Sequence, residues 1–160
     1  ETARLTVMIF SLVWGVLIFV RFMGFAELPA VFAEWVVSLP LAPVVTMICI
    51  LLFYVILGMF MDAIGMLLLT LPVVYPAVIA LGYDPIWFGI VVVKMCEVCL
   101  ITPPIGLNCY VVAGVRPDIP LQEVFKGIGP FFIADVITLG VFLAWPEVIT
   151  WLPDLMIKKF

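Results

Sequence analysis

The sequence contains no histidine, and its 7 lysines and arginines are outnumbered by 11 aspartates and glutamates. At a formal charge of −4 there is no basic face to replace the counterions of a polyanion, so nucleic acid is excluded as a partner. The missing imidazole also removes the most frequent general base. No serine or cysteine stands beside another plausible base, and the chain reads as a non-enzyme without a cofactor. Charge of either sign is scarce, at 11% of residues where soluble domains carry about 25%. Hydrophobic residues make up 67%, and the mean hydropathy is +1.39. These values predict an all-α integral membrane protein embedded in a lipid bilayer.

Cysteine is present but sparse. Cys49, Cys96, Cys99 and Cys109 all lie inside apolar runs. Cys96 and Cys99 have the C-x-x-C spacing, yet a zinc site would need a second pair or histidines. They are expected to act as small packing residues.

At about 20 apolar residues per crossing, 160 residues leave room for roughly five or six crossings or half-crossings. Leu5 to Met23 lacks a basic n-region and a small-residue cleavage site, and more apolar stretches follow it, so it reads as a spanning helix rather than a signal peptide. Its central part, Thr6–Met23, is flanked by Arg4 and Arg21, whose long side chains can snorkel. Pro29–Leu39 starts on proline and contains Glu34 and Trp35, which predicts a short helix along the membrane surface. Because the chain opens on Glu1 rather than methionine, it is expected to belong to something longer.

Leu41 to Gly82 is an apolar stretch about twice the length of one span, interrupted by Asp62 between Gly58 and Gly65. Two helices must fold back there, either as full spans or as a re-entrant hairpin. The apolar tip, Gly58 to Met66, favours the hairpin. Pro85 to Val115 is a second long stretch, broken at Thr102-Pro103-Pro104-Ile105-Gly106. Adjacent prolines remove two backbone donors and bias Thr102 away from the helical region. A helix broken at membrane depth leaves backbone groups that are tolerated only inside protein or along a cavity. Arg116 to Lys126 is expected to be a polar connection, Ile128–Trp145 a last span, and Pro146–Phe160 a tail with Trp151, Lys158 and Lys159. The basic residues place Arg4, Arg116 and Lys126 on the cytoplasmic side, with Glu27, Glu34 and Asp84 opposite; Lys158 and Lys159 run against this assignment.

Two places can carry chemistry. A bare carboxylate at membrane depth costs at least about 2.5–3.5 kcal/mol, so Asp62 needs either an ion or substrate site or a route to water. The break at Thr102 to Gly106, with Asn108 just beyond it, resembles the discontinuous helices of transporters. Their half-helix N-termini face anionic substrates while freed carbonyls hold a cation. A proline kink used only for packing is the plainer alternative. Lys94 and Glu97 are spaced to pair on one helix face. Asp135 is expected to face protein rather than lipid.

Four motifs then carry a family resemblance: Leu57-Gly58-Met59-Phe60-Met61-Asp62, Leu67-Leu68-Leu69-Thr70-Leu71-Pro72, Asp84-Pro85-Ile86-Trp87-Phe88-Gly89, and Leu100-Ile101-Thr102-Pro103-Pro104-Ile105-Gly106-Leu107-Asn108. In this order they resemble the large permease subunit, DctM type, of tripartite ATP-independent periplasmic (TRAP) transporters. The resemblance implies one inverted repeat of an elevator-type transporter. It makes Thr6–Met23 and Ile128–Trp145 scaffold helices, Pro29–Leu39 an arm, Leu41–Leu81 a re-entrant hairpin and Pro85–Val115 the broken helix. It also implies Na⁺ as coupling ion, held by candidates Asp62, Gly65, Thr102 and Gly106, and an organic-acid substrate, such as a dicarboxylate, met by Thr102, Pro103 and Asn108. The implied partners are a small membrane subunit, a periplasmic substrate-binding protein and an N-terminal half of the permease, in the cytoplasmic (inner) membrane of a bacterium or archaeon. Without that half the chain is expected not to transport. The alternatives are an inverted-repeat sodium symporter that needs no binding protein, and a structural membrane subunit in which Asp62 and the prolines only pack.

Overall fold

The computed structural model describes residues 2–102 and 106–157. Among them are eight helices and no strand: α1 (Thr2–Phe25), α2 (Leu28–Ser38), α3 (Pro43–Gly58), α4 (Ala63–Ala80), α5 (Pro85–Ile101), α6 (Leu107–Val115), α7 (Leu121–Ala144) and α8 (Glu147–Ile157). Three of these, α1, α4 and α7, are long and apolar enough to cross a membrane. At about 1.5 Å per residue, the 24 residues of α1 or α7 run about 36 Å, longer than a hydrocarbon core of about 30 Å. The 16 residues of α3 run about 24 Å and the 9 residues of α6 about 14 Å, so neither crosses alone. The helices form two compact units. One gathers residues up to Met47 with Ile64–Tyr83; the other gathers Ile48–Ala63 with the described residues from Asp84 onward.

In the first unit α1 packs on α2. Met23 is its single buried residue, while Phe10, Trp14, Ile18 and Phe22 stand exposed at helical spacing. A helix apolar all round has water as no neighbour, and these side chains meet lipid or other helices. The turn between α1 and α2 places Glu27 in the left-handed region at φ 54°, with Pro29 in the first turn of α2. In α4, Pro72 and Pro76 lie inside the helix, and the Thr70 hydroxyl donates to the Met66 carbonyl at 2.7 Å.

The second unit is organised around α5, which packs against α6, α7 and α8. Asp84 caps it, with Oδ1 accepting from the amides of Ile86 (2.8 Å) and Trp87 (2.9 Å), and Pro85 follows where a missing N–H costs nothing. The buried face of α5 includes Trp87, Phe88, Val91, Val92, Met95, Cys96 and Cys99. At the far end of α7, residue 146 is proline and has no N–H to give the Phe142 carbonyl. The buried indole of Trp87 donates to that carbonyl instead, at 2.8 Å. The Cys99 thiol donates to the Tyr54 carbonyl of α3 at 3.4 Å, so this cysteine does pack in the interior, as do Cys96 and Cys109, whereas Cys49 is exposed.

Two boundaries differ from the sequence reading. The polar connection ends at Pro120 rather than Lys126: proline caps α7, and Glu123 and Lys126 ride on its first turns. The last span is therefore seven residues longer at its start than Ile128 suggests. The tail after Pro146 is also helical, as α8, with Ile149 buried where α8 meets α5 and Glu147, Thr150 and Asp154 aligned along another face.

Candidate functional site

The interruption lies where the prolines put it. Helix α5 stops at Ile101 and α6 starts at Leu107. Thr102 is extended, at φ −83° and ψ 130°, as a residue before proline should be. It is only 6% exposed. Its amide turns back to the Cys99 carbonyl at 3.2 Å, and its hydroxyl donates to the Val98 carbonyl at 2.6 Å. A threonine hydroxyl has one proton to give, so the Oγ1 of Thr102 is left with acceptor capacity and nothing to donate. Pro103, together with Pro104 and Ile105, lies outside the described residues.

The chain resumes at Gly106, which is buried and left-handed, at φ 39° and ψ 63°. Its amide donates to the Thr102 carbonyl at 3.1 Å, and its own carbonyl accepts from Cys109 at 2.7 Å to open α6. A Cβ on Gly106 would lie 3.0 Å from Cε1 and 3.2 Å from Cζ of Phe125, and 3.4 Å from the Thr102 carbonyl oxygen. Glycine is required twice over, by backbone conformation and by space. Phe125 in turn meets Tyr110 edge-on, with centroids 6.4 Å apart and planes at 84°. Helix α7 thus presses an aromatic ring against the point where the chain re-enters helix.

Thr102 and Gly106 are the predicted residues that the fold brings into contact. Asn108 sits exposed in the first turn of α6. Asp62 is exposed at the end of the four-residue connection between α3 and α4, and Gly65 lies in the first turn of α4, in the other compact unit. The dipoles at the break point the right way for ligands of both signs: α5 ends there with its partial negative charge, and α6 begins with its partial positive one.

The charged residues of α5 are satisfied. Lys94 Nζ lies 2.8 Å from Glu97 Oε2, the expected i, i+3 pair, and 2.7 Å from Asp135 Oδ1 of α7. The second contact joins residues 41 positions apart. Its one signal in the sequence is that Lys94 is the sole cation between Arg21 and Arg116 while Asp135 sits in a span needing a partner. Phe125 was equally invisible, being an aromatic in a segment that reads as polar. Between α6 and α7, Arg116 grips Asp118 through two hydrogen bonds, Nε to Oδ1 at 2.8 Å and Nη2 to Oδ2 at 2.7 Å. The guanidinium holds the Asp118 carboxyl below the usual aspartate range.

Comparison with known proteins places this geometry in a family. Residues 1–148 match the family model described as the tripartite ATP-independent periplasmic transporter, DctM component. The chain is 33% identical over 156 residues to the C4-dicarboxylate TRAP transporter large permease protein DctM of Vibrio cholerae, covering 98% of this chain and 34% of that protein. It is 30% identical to the sialic acid TRAP transporter large permease protein SiaM of the same organism, covering 98% of this chain and 36% of the relative. It is 34% identical over 124 residues to the 2,3-diketo-L-gulonate TRAP transporter large permease protein YiaN of Escherichia coli, covering 78% and 29%. The chain spans about a third of the length of these relatives. The helix broken between Ile101 and Leu107, the apolar spans around it and a match over nearly its whole length agree: this chain belongs to the DctM component family of the tripartite ATP-independent periplasmic transporters.

Proposed function

We propose that this chain forms one repeat of an elevator-type, Na⁺-coupled permease that takes up organic acids delivered by a periplasmic binding protein. The observation that carries the reading is the break between Ile101 and Leu107, where a buried threonine hydroxyl has spent its proton on its own helix and offers only lone pairs. An acceptor-only oxygen beside a helix C-terminus suits a cation, and the α6 N-terminus with Asn108 suits a carboxylate. In this scheme Asp62, Gly65, Thr102 and Gly106 hold Na⁺, while Thr102, Pro103 and Asn108 face the substrate. Helices α3 and α4 form the re-entrant hairpin, α2 the arm and α1 part of the outer frame.

The relatives are named for C4-dicarboxylates, sialic acid and 2,3-diketo-L-gulonate. All three share a carboxylate, which is the group we assign to the α6 end of the break. The remaining two-thirds of a relative's length would supply the facing half of the site, and a small membrane subunit would support the frame. The assembly would sit in the inner membrane, where a Na⁺ gradient is available.

The test is uptake into proteoliposomes by a full-length permease carrying this segment, with its small subunit and binding protein. Radiolabelled succinate and N-acetylneuraminate serve as probes, with and without an inward Na⁺ gradient. We expect uptake of one probe to require Na⁺, and Thr102→Ala or Asp62→Ala to reduce it at least tenfold while the protein still inserts. Uptake indifferent to Na⁺ and to both substitutions would remove the ion site.

A further inference from the structure

Lys94 brings one ammonium to two carboxylates, Glu97 Oε2 at 2.8 Å on its own helix and Asp135 Oδ1 at 2.7 Å on α7. Among the described residues no other cation forms an ion pair with either acid. The contacts of Lys94 are made, but one positive charge against two negative ones leaves the group with an excess carboxylate. Asp135 lies near the middle of α7, and Glu97 lies inside α5, five residues before the buried Thr102. The excess therefore sits at membrane depth, where ionisable groups persist by pairing with one another. It is also exposed unevenly. The side chains of Lys94 and Asp135 are 21% and 23% exposed, whereas that of Glu97 is 59% exposed.

The uncovered side of α5 has a pattern. Ile86 is half-buried and Ile90, Val93 and Glu97 are exposed, at spacings of four, three and four, while the buried residues of α5 pack within its own unit. That spacing makes one narrow stripe along a helix, the form of a seam against another helix. Lipid would leave the carboxylate bare, and a water-filled passage would wet Ile90 and Val93, one and two turns away from it. Protein is the cover that suits both. The relatives supply it, since this chain covers 34% and 36% of two of them.

We infer that Glu97 is the docking point for a lysine or arginine side chain from the remaining two-thirds of the permease, with Ile86, Ile90 and Val93 as the apolar seam beside it. The inference rests on the reading of this chain as one repeat of a larger permease, and not on Na⁺ as the coupling ion. A basic side chain brings the group to two cations and two carboxylates. A serine, an asparagine or a backbone amide would give Glu97 a hydrogen bond and leave the excess charge in place. One charged contact in an otherwise apolar seam also sets its register, because a slip of one helical turn, about 5.4 Å, parts the charges.

Two measurements test this in the full-length permease carrying this segment, purified with its small subunit. The first follows the SDS unfolding midpoint by tryptophan fluorescence. Glu97→Gln strands the basic partner and should lower the midpoint or abolish insertion. Each lysine and arginine that hydropathy places in a span of the permease or of the small subunit is then changed to methionine in the Glu97→Gln background. One such change in the permease should recover at least half of the loss, and exchanging that residue with Glu97 should recover it too. A midpoint that ignores Glu97→Gln, a loss that no second change recovers, or recovery from a position in the small subunit overturns the inference. The second measurement labels Glu97→Cys with the membrane-impermeant sulfonatoethyl methanethiosulfonate, in a permease whose native cysteines have been replaced. A covered position should react at least about tenfold more slowly than Arg116→Cys, which lies in the exposed connection after α6. Equal rates would put Glu97 in water and overturn the inference. Neither readout uses transport, so absence of Na⁺-driven uptake would sink the coupling reading and leave the docking of Glu97 standing.

Discussion

Replacing Gly106 with alanine perturbs the break by the smallest available change, one methyl group. The cost has two parts. A left-handed backbone costs a residue with a Cβ roughly 1–2 kcal/mol. The methyl would also sit 3.0 Å and 3.2 Å from two carbons of the Phe125 ring, closer than ordinary van der Waals contact. Overpacking of that kind costs about 1–3 kcal/mol, with the lower end applying here because Phe125 is only half-buried and its ring edge can swing. The sum is a destabilisation of about 2–3 kcal/mol. The assay is unfolding of the purified permease carrying this segment in mixed micelles of rising SDS content, followed by tryptophan fluorescence. Phe125→Leu separates the two parts in a double-mutant cycle. It should recover the steric share, about 1 kcal/mol of coupling, and leave the backbone share untouched. A Gly106→Ala shift under about 0.5 kcal/mol, the range of inert surface changes, would refute the backbone argument. Absence of coupling to Phe125 would refute the packing argument even if the single substitution were costly.

The other expectations concern the supports of the site. Trp87→Phe keeps the ring but loses the N–H that serves the Phe142 carbonyl, and should cost about 1–3 kcal/mol in the same unfolding assay; no change would mean that another donor replaces it. Asp84→Ala removes the acceptor for two amides at the start of α5 and should cost about 1 kcal/mol, whereas Asp84→Asn should cost much less. Glu27→Gly relieves a left-handed residue and should stabilise by up to about 1 kcal/mol, which a neutral or lower unfolding midpoint would contradict. The Asp118 carboxyl is depressed by Arg116, so the clasp is complete above the ordinary aspartate range and is lost as pH falls through the lowered value. A carbon-13 titration of Asp118 should show that shift, and Arg116→Gln should abolish it. Both groups are exposed, so little change in overall stability should accompany the titration.

What could be read from the sequence was what local chemistry dictates. Hydropathy marked the membrane class, and adjacent prolines marked the break because two missing donors cannot be hidden within one helix. The i, i+3 spacing marked the Lys94–Glu97 pair. Hydropathy was a poor guide to where helices end. Glu123 and Lys126 lower the apolar signal without opposing helix, so α7 extends to a proline cap that the window ignores. The tail was given no secondary structure, yet Pro146 precedes α8 as an N-terminal residue can and Pro153 is carried inside it. Contacts between elements were out of reach for a different reason. Lys94 with Asp135, Trp87 with Phe142 and Gly106 with Phe125 depend on how α7 is threaded beside α5 and α6, and periodicity on one helix says nothing about register against another.

The prolines explain why one interruption matters more than the rest. Each proline denies an amide to the carbonyl four residues earlier, and in lipid that carbonyl must find another partner. For the carbonyl that Pro146 leaves without an amide, the partner is a tryptophan indole, bonded at 2.8 Å. At the break, residues 103 and 104 can offer no N–H to the carbonyls of Cys99 and Leu100. Thr102 turns its own amide to Cys99 at 3.2 Å, the neighbouring hydroxyl proton goes to Val98, and no such bond from residue 104 can reach Leu100. Donors are thus consumed at the end of α5 faster than acceptors are, on a segment that also carries the negative end of a helix dipole. A surplus of oxygen lone pairs beside a buried threonine is a preference for positive charge. Lys94, the only cation on α5, cannot supply that charge, because it is already held by Glu97 and Asp135. On the Na⁺-coupled reading proposed above, a cation from solution that enters at the break and leaves again would supply that charge.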